Sequence, residues 1–517
     1  MNHFSSAARY AAACVCVVAL ALIPQAALAA QGDIDTTFGT GGTVLTAISV
    51  GNLDDRATSV AIQPDGKIVS VGECTIFTTG PTTTICVTRH HADGTLDNTF
   101  NGAGKVMTTV GGFGDRARGV ALQTDGKIVV AGSCNYEVVV GLITAPRFCV
   151  ARYTALGALD TTFNVTGKLM TAIGAGGHDE GRALALQADG KIIVVGTCGV
   201  AAVGGATGLK FCVARFTALG ALDTTFNTTG VVITTTTVNN DGATSVVVQS
   251  DGKIVVAGFC ATVICLVRYT SIGGLDSSFN AAGTPGKILF APGVGGQNIA
   301  HSLALQSDGK YVVAGSCPGV TNIDFCVVRI TTAGVLDTTF NGGGSVISPV
   351  GALTDTAYGV AIQSDGKIVV AGECDVSTNT FFCLARYTDV GVLDTTFSGD
   401  GVVISPTGAA SRKLQRGVAL QSDGKMVVAG SCPGAASGDD FCLQRYVGTL
   451  LPLCRMDIDG DGFVLALTDS LIHARVALGL TGTAVTAGIT FPLAATRKTW
   501  GEIRTFLVGS CAMVLPQ

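Results

Sequence analysis

The sequence predicts an all-β fold: a seven-bladed β-propeller of four-stranded antiparallel blades, followed by a small, mostly helical C-terminal module. Two repeated elements predict it. Gln-x-Asp-Gly-Lys occurs seven times, 57–64 residues apart, and Leu/Ile-Asp-x-x-Phe also occurs seven times. Self-similarity at a fixed period indicates repeated supersecondary units. The composition agrees, because 70 glycines and only 13% charged residues in 517 positions suit short strands joined by tight turns.

One repeat divides into four predicted strands. In the second repeat, strand A spans 119–123, the Asp-Gly pair at 125–126 forms a hairpin turn, and strand B spans 127–134. A variable loop separates strand B from strand C at 148–153, and the Leu-Asp-Thr-Thr-Phe stretch leads into strand D at 168–172. Four antiparallel strands per repeat of this length predict a propeller blade.

The chain ends predict how the ring closes. The last repeat, residues 417–446, has strands A to C but no Leu-Asp-x-x-Phe element and no strand D. The missing parts stand at the other end of the chain, as Ile-Asp-Thr-Thr-Phe at 34–38 and a strand at 43–48. We therefore expect the N-terminal strand to complete the last blade, which removes an exposed sheet edge. An open array would need polar capping repeats instead.

This repeat resembles the delta-60 repeat proteins of bacteria over residues 31–446. The similarity rests on the pattern LDTTF…GVALQxDGKIVVAGxC…FCxARYT. The resemblance implies a bacterial propeller repeat but no activity, since that family is largely uncharacterised. The paired cysteines are an addition to the repeat.

Each predicted blade carries one cysteine at the end of strand B and one at the start of strand C. Facing residues on adjacent antiparallel strands lie within disulfide reach. We expect seven disulfides: Cys74–Cys86, Cys134–Cys149, Cys198–Cys212, Cys260–Cys265, Cys317–Cys326, Cys374–Cys383 and Cys432–Cys442. Metal binding is the alternative, but it needs four converging ligands, and cysteine pairs on separate blades lie too far apart. Cys14 and Cys16 lie in the first 30 residues, which we expect to be removed. Cys454 and Cys511 are then the two that remain, and we expect them to close the C-terminal module.

The first 30 residues have the features of a signal peptide. Arg9 precedes an apolar segment at 11–23, and Ala-Leu-Ala at 27–29 fits a cleavage site. A membrane anchor would need about 18 or more apolar residues. We therefore expect a secreted protein, periplasmic, cell-surface or extracellular, with domains at 1–30 (signal), 31–447 (propeller), 448–453 (linker) and 454–517 (C-terminal module).

The two faces of the propeller differ in how much their loops vary. The A–B and C–D turns are nearly identical in every repeat, which favours a structural role, with aspartate capping the threonine amides that follow it. A sevenfold ion or sugar site is the alternative. The B–C and D–A loops vary, so we expect any ligand there. An arginine recurs in strand C, and we expect it to pair with the aspartate of the following turn rather than to bind an anion: Arg89, Arg152, Arg215, Arg268, Arg329, Arg386 and Arg445.

The C-terminal module contains an Asp-x-Asp-x-Asp-Gly segment that resembles an EF-hand or dockerin calcium loop. Carboxylates at alternate positions converge on one hard cation, and the glycine allows a sharp turn. The predicted calcium ligands are Asp457, Asp459, Asp461, Phe463 and Asp469. The segment departs from the pattern because Thr468 holds the twelfth position and no second loop follows. The alternative is a surface turn whose aspartates cap a helix.

The chemistry-bearing residues favour a binding or scaffold protein over an enzyme. A net charge of −5 without a basic stripe argues against nucleic acid. The six histidines show no triad or metal spacing, and His178 and His301 are predicted in D–A loops. We expect a monomeric propeller without a membrane span, and an extracellular protein or glycan as partner. The alternative function is a glycan hydrolase or lyase with an acid such as Asp179 or Glu180, although the single tryptophan, Trp500, lies outside the propeller.

Overall fold

The structure is a computed structural model that describes most of the propeller and part of the C-terminal module. The described residues are 29–51, 53–77, 81–139, 142–143, 146–201, 207–237, 240–405, 414–434, 438–448, 472, 475, 483–487, 489–491 and 498–509. Seven antiparallel sheets occur in these ranges, and each is one blade of the predicted propeller.

The strands of each blade are given in the order A to D. The first strand of the chain, β1 (Thr43–Thr46), belongs to blade 7. Blade 1 contains β2 (Asp55–Ile62), β3 (Ile68–Phe77), β4 (Pro81–His90) and β5 (Lys105–Thr108). Blade 2 contains β6 (Gly112–Leu122), β7 (Ile128–Val139), β9 (Arg147–Tyr153) and β10 (Lys168–Thr171), with the short β8 (Leu142–Ile143) beside β7. Blade 3 contains β11 (Asp179–Leu186), β12 (Ile192–Ala201), β13 (Thr207–Phe216) and β14 (Val231–Thr234).

The remaining blades follow the same order. Blade 4 contains β15 (Asp241–Val248), β16 (Ile254–Cys260), β17 (Val263–Tyr269) and β18 (Lys287–Phe290). Blade 5 contains β19 (Ile299–Leu305), β20 (Tyr311–Pro318), β21 (Ile323–Ile330) and β22 (Ser345–Ser348). Blade 6 contains β23 (Asp355–Ile362), β24 (Ile368–Val376), β25 (Asn379–Tyr387) and β26 (Val402–Ile404). Blade 7 contains β27 (Leu414–Leu420), β28 (Met426–Pro433), β29 (Asp439–Tyr446) and β1.

The N-terminal strand closes the ring as predicted. Strand β1 pairs antiparallel with β29, with Thr43 opposite Gln444 and Thr46 opposite Phe441. Ile34 adds a further antiparallel bridge to Tyr446. The two ends of the propeller sequence are therefore held in one sheet.

The apolar core lies between the blades. Seven buried clusters occur among the described residues, and each joins two neighbouring blades. Strand A of every blade also packs against strand A of both neighbouring blades. The A strands are therefore the innermost strands and surround the axis.

Strand A begins earlier than the sequence predicted. In blade 2 it spans Gly112–Leu122, whereas only 119–123 was predicted. The D–A loops are correspondingly shorter, and His301, predicted in such a loop, lies within strand Ile299–Leu305. Each A strand contains a β-bulge, which interrupts the side-chain alternation on which the prediction depended.

Two helices are described near the C-terminus, α1 (Thr483–Thr486) and α2 (Trp500–Gly509). Helix α2 begins with a capping box. Glu502 N donates to Thr499 Oγ1 at 3.3 Å, and Glu502 Oε2 accepts from Thr499 N at 2.9 Å. In the described part of the chain, no helix combines the length and the apolar character needed to span a bilayer.

Candidate functional site: the loop face and the axial channel

The face with the A–B and C–D turns is held together by a repeated arginine cluster. In blade 1, Arg89 Nε donates to Asp97 Oδ2 at 2.8 Å and Nη2 donates to Thr99 Oγ1 at 3.2 Å. The guanidinium carbon lies 4.8 Å from the centre of the Phe100 ring. Arg89 Nη1 donates to the backbone oxygen of Ala155 in blade 2. One arginine thus joins its own C–D turn to the next blade.

The same ion pair recurs around the ring at 2.8–2.9 Å: Arg152–Asp160, Arg215–Asp223, Arg268–Asp276, Arg329–Asp337, Arg386–Asp394 and Arg445–Asp35. Burial alone would raise the pKa of Asp276, but hydrogen bonds from Ser278 and the charge of Arg268 outweigh it and lower that pKa to about 2. The predicted pairing and the predicted capping of the following residues are both confirmed. These arginines and aspartates therefore stabilise the propeller frame, by which we mean the seven blades without their variable loops.

The opposite face carries the variable loops, and a disulfide lies beneath each B–C loop. All seven predicted within-blade pairs are bonded, with Cα–Cα distances of 5.4–5.9 Å. The bridged cysteines are 5 positions apart in blade 4 and 15 apart in blade 2. Loops of very different length therefore rest on one repeated anchor. The seven disulfides indicate an oxidising compartment, periplasmic or extracellular.

A buried aspartate at the start of strand A shapes most of the D–A loops. Asp115 accepts from Val110 N at 2.7 Å, and Asp355 accepts from Val350 N at 2.8 Å. Asp179, named above as a candidate catalytic acid, is 1% exposed and accepts from Ile173 N at 2.8 Å. Asp179 therefore holds its own loop. The sequence analysis did not predict this role.

A channel of about 390 Å³ follows the axis, and strand A of every blade contributes to its wall. The β-bulge of each A strand falls at the wall, and it leaves one residue of that strand unpaired. These bulge residues are Thr58, Arg118, Arg182, Thr244, His301, Tyr358 and Arg416. The type of residue at the bulge thus differs between blades, although the sequence of strand A is otherwise repeated.

The channel side chains differ in what they contact. Thr58 Oγ1 donates to Ala117 O of the next blade at 2.8 Å, and Thr244 Oγ1 donates likewise to Ala300 O at 2.8 Å. The rings of His301 and Tyr358 lie 4.9 Å apart, centre to centre. Two threonines thus join blades, while the aromatic pair forms one side of the channel.

Two arginine–glutamate salt bridges and one histidine–glutamate contact lie beside the channel. Arg182 Nη2 lies 2.9 Å from Glu180 Oε2, and His178 Nε2 lies 3.5 Å from Glu180 Oε1. Arg116 Nε lies 2.9 Å from Glu73 Oε2. Glu180, the second candidate acid, is therefore already paired with a guanidinium in the wall.

A glycine in strand B was the sequence signal for these bulges. A Cβ on Gly132 would lie 1.9 Å from Arg116 O, because the bulge brings the backbone of strand A close at this point. The same approach recurs at Gly72, Gly196, Gly258, Gly315 and Gly372. A glycine repeated inside a strand is typical of a neighbouring bulge. The repeated Ala-Gly or Val-Gly before the strand B cysteine therefore pointed to the channel residues.

The predicted calcium ligands Asp457, Asp459, Asp461, Phe463 and Asp469 lie outside the described residues, as do Cys454 and Cys511. The signal-peptide prediction also falls almost entirely outside them. Within the described ranges, no group of three or more His, Cys, Asp or Glu side chains is arranged to hold a metal ion.

Six segments of the chain match the family model described as "Domain of unknown function (DUF5122) beta-propeller": residues 63–100, 123–163, 187–226, 249–279, 306–340 and 363–397. Each segment runs from the glutamine of an Asp-Gly turn to the phenylalanine of the next Leu-Asp-x-x-Phe element, one segment in each of blades 1 to 6. The chain is a β-propeller repeat protein. In blade 7 the corresponding phenylalanine is Phe38, which stands at the other end of the sequence. No curated protein matches the chain.

Several solved structures are similar to the chain at low identity. A protein of unknown function from Dyadobacter fermentans has 9% identity and a TM-score of 0.38, covering 79% of this chain and 99% of its own. Sqt1 from Chaetomium thermophilum has 11% identity and a TM-score of 0.38, covering 74% and 81%. Virginiamycin B lyase from Staphylococcus aureus has 11% identity and a TM-score of 0.41, covering 78% and 99%. These similarities carry no information about function.

Proposed function

We propose that this chain is an exported, non-enzymatic binding or scaffold module that contacts an extracellular glycan or protein through its B–C and D–A loops. One observation carries the proposal: the repeats are alike in the arginine clusters and in the disulfides, and they differ in the loops above those disulfides. A rigid frame that presents variable loops is the usual arrangement of a binding protein. The nearly identical turns on the other face form the repeated ion pairs of the frame.

Exposed apolar side chains on the loop face support the proposal. Phe77, at the end of β3 where the B–C loop of blade 1 begins, is 68% exposed, and Val320, in the B–C loop of blade 5, is 102% exposed. Val50 and Val294, in two D–A loops, are 90% and 91% exposed. Their burial against a partner would contribute about 1–2 kcal/mol each. Leu156 and Leu219, each 66% exposed in C–D turns, are matched apolar residues on the opposite face.

The test compares variants of the two faces on a panel of purified polysaccharides: polygalacturonate, alginate and dextran. We expect immobilised polysaccharide to retain the wild-type protein without releasing fragments. We also expect Phe77→Ser with Val320→Ser to weaken retention by about thirtyfold or more, because two apolar anchors of about 1–2 kcal/mol each are lost. The control pair Leu156→Ser with Leu219→Ser should leave retention unchanged. Polysaccharide fragments in the supernatant would instead indicate a hydrolase or lyase. Weaker retention of the control pair would place the contact on the face with the A–B and C–D turns and would contradict the proposal.

We also propose that the C-terminal module binds calcium through Asp457, Asp459, Asp461, Phe463 and Asp469. The alternate spacing of its three aspartates, which precede a glycine, supports this. The ion would order a docking segment beside the propeller domain in sequence.

A further inference from the structure

One cation in the channel wall lacks a direct ion-pair partner among the described side chains. Arg182 is paired with Glu180, and Arg116 is paired with Glu73. Arg118 is half-buried in the same wall and makes no hydrogen bond or ion pair with a described residue. A guanidinium stays protonated in proteins, so Arg118 brings into the channel a positive charge that no described side chain contacts.

The frame does not require an arginine at this position. The equivalent bulge residues of blades 1 and 4 are threonines, which donate to the next blade and are thereby satisfied. Burial lowers the pKa of Arg118, and the charges of Arg116 and Arg182 lower it further, against Glu73 and Glu180. An unpaired, partly buried charge costs free energy. An anion in the channel would supply the missing partner.

The wall offers further donors to such an anion. Arg182 Nε is buried and has no hydrogen-bond partner. Ser245 Oγ accepts from Leu303 N at 3.1 Å, and Ser302 Oγ accepts from Val360 N at 3.3 Å. Each serine therefore keeps its own hydroxyl hydrogen to donate. The wall thus suits a ligand that has several oxygen acceptors.

The size and the aromatic side of the channel favour an organic anion over an inorganic one. The volume of about 390 Å³ falls within the range of about 300–1,000 Å³ typical of small-molecule sites. Tyr358 and His301 give one side of the wall an aromatic surface against which a ring can pack. A guanidinium fork matches a planar carboxylate in bidentate geometry.

We propose that the axial channel binds a carboxylate-bearing sugar, with its carboxylate on Arg118 and its hydroxyls facing Ser245 and Ser302. This deepens the proposed binding function, because it names one chemical group that the extracellular ligand carries. The channel residues bind the charged sugar unit, and the loops contact the rest of the extracellular ligand.

Calorimetric titration of the full chain, produced in an oxidising compartment, tests the proposal. The probes are D-galacturonate, D-galactose and sodium sulfate at low ionic strength. We expect D-galacturonate alone to bind. Arg118→Gln should weaken its binding by about tenfold or more, because a charge-assisted bidentate pair is lost. Arg118→Lys should lose less, since the charge remains. The control Arg147→Gln, at an exposed arginine of the same blade, should bind as the wild type does.

The proposal would be overturned by no binding of D-galacturonate, by equal binding of sulfate or D-galactose, or by full binding to an Arg118→Gln protein that melts at the wild-type temperature. The loop variant Phe77→Ser with Val320→Ser separates this proposal from the preceding one. Loss of D-galacturonate binding in Arg118→Gln but not in the loop variant supports the channel, whatever the polysaccharide panel shows. Binding of D-galacturonate that depends on the loop residues would place it outside the channel and overturn the proposal.

Discussion

Two buried aspartates repel each other across the junction of blades 5 and 6, whereas a lysine and an aspartate form an ion pair between blades 3 and 4. Lys210 precedes the strand C cysteine of blade 3 by two positions, and its Nζ lies 3.8 Å from Asp241 Oδ2. Asp324 takes the same position in blade 5 and is 4% exposed. Burial, together with the charge of Asp355, raises the pKa of Asp324 to about 6. The residue two positions before the strand C cysteine therefore decides whether the junction with the next blade is an ion pair, as with Lys210, or a repulsive pair, as with Asp324.

We expect Asp324→Asn to stabilise the protein at pH 7 by about 2–3 kcal/mol, since a pKa raised by about two units corresponds to that free energy. The folded-state pKa lies above the unfolded value of about 3.9, so the wild type recovers this free energy as the pH falls through about 6. The gain in the variant should therefore vanish near pH 4. Chemical denaturation at the two pH values measures it. A variant that is no more stable than the wild type at pH 7, or a gain that persists at pH 4, would contradict this account.

At the scale of the strands, the bulge in strand A decides which residues reach the channel. In blade 1, Thr58 and Ser59 are both half-buried between the buried Ala57 and Val60, so strict alternation fails there. A prediction from alternation finds only the part of the strand after the bulge, which is why His301 was predicted in a loop. A register shift depends on the neighbouring strand, so the sequence shows it only indirectly, through the glycine of strand B.

The calcium loop that we propose for the C-terminal module can be tested separately from the propeller. We expect the full chain to bind one Ca²⁺ with a dissociation constant on the order of 10⁻⁶–10⁻³ M, because carboxylates at alternate positions of such a sequence can share one cation. Asp459→Ala should abolish binding, whereas Asp125→Ala, which alters an exposed Asp-Gly turn of the propeller, should not. Calorimetric titration with calcium chloride measures both. Binding that survives Asp459→Ala would contradict the assignment of these ligands.

At the scale of the molecule, the features that every blade shares could be predicted from the repeats. The features in which single blades differ could not. The blades, the closing strand, the seven disulfides and the Arg–Asp pairs each follow from positions that recur in the sequence, and the structure confirms them. The buried aspartates of the D–A loops and the charge balance around Arg118 depend on contacts between residues distant in sequence. Glu73 and Glu180, for example, belong to different blades, and only the fold brings their charges to bear on Arg118.

Every blade shares one covalent cross-link, the disulfide beneath its B–C loop. Non-reducing peptide mapping of the exported protein by mass spectrometry tests it most directly. The account predicts seven links, each within one blade: Cys74–Cys86, Cys134–Cys149, Cys198–Cys212, Cys260–Cys265, Cys317–Cys326, Cys374–Cys383 and Cys432–Cys442. Free thiols at these positions, or links between cysteines of different blades, would contradict the stapled propeller.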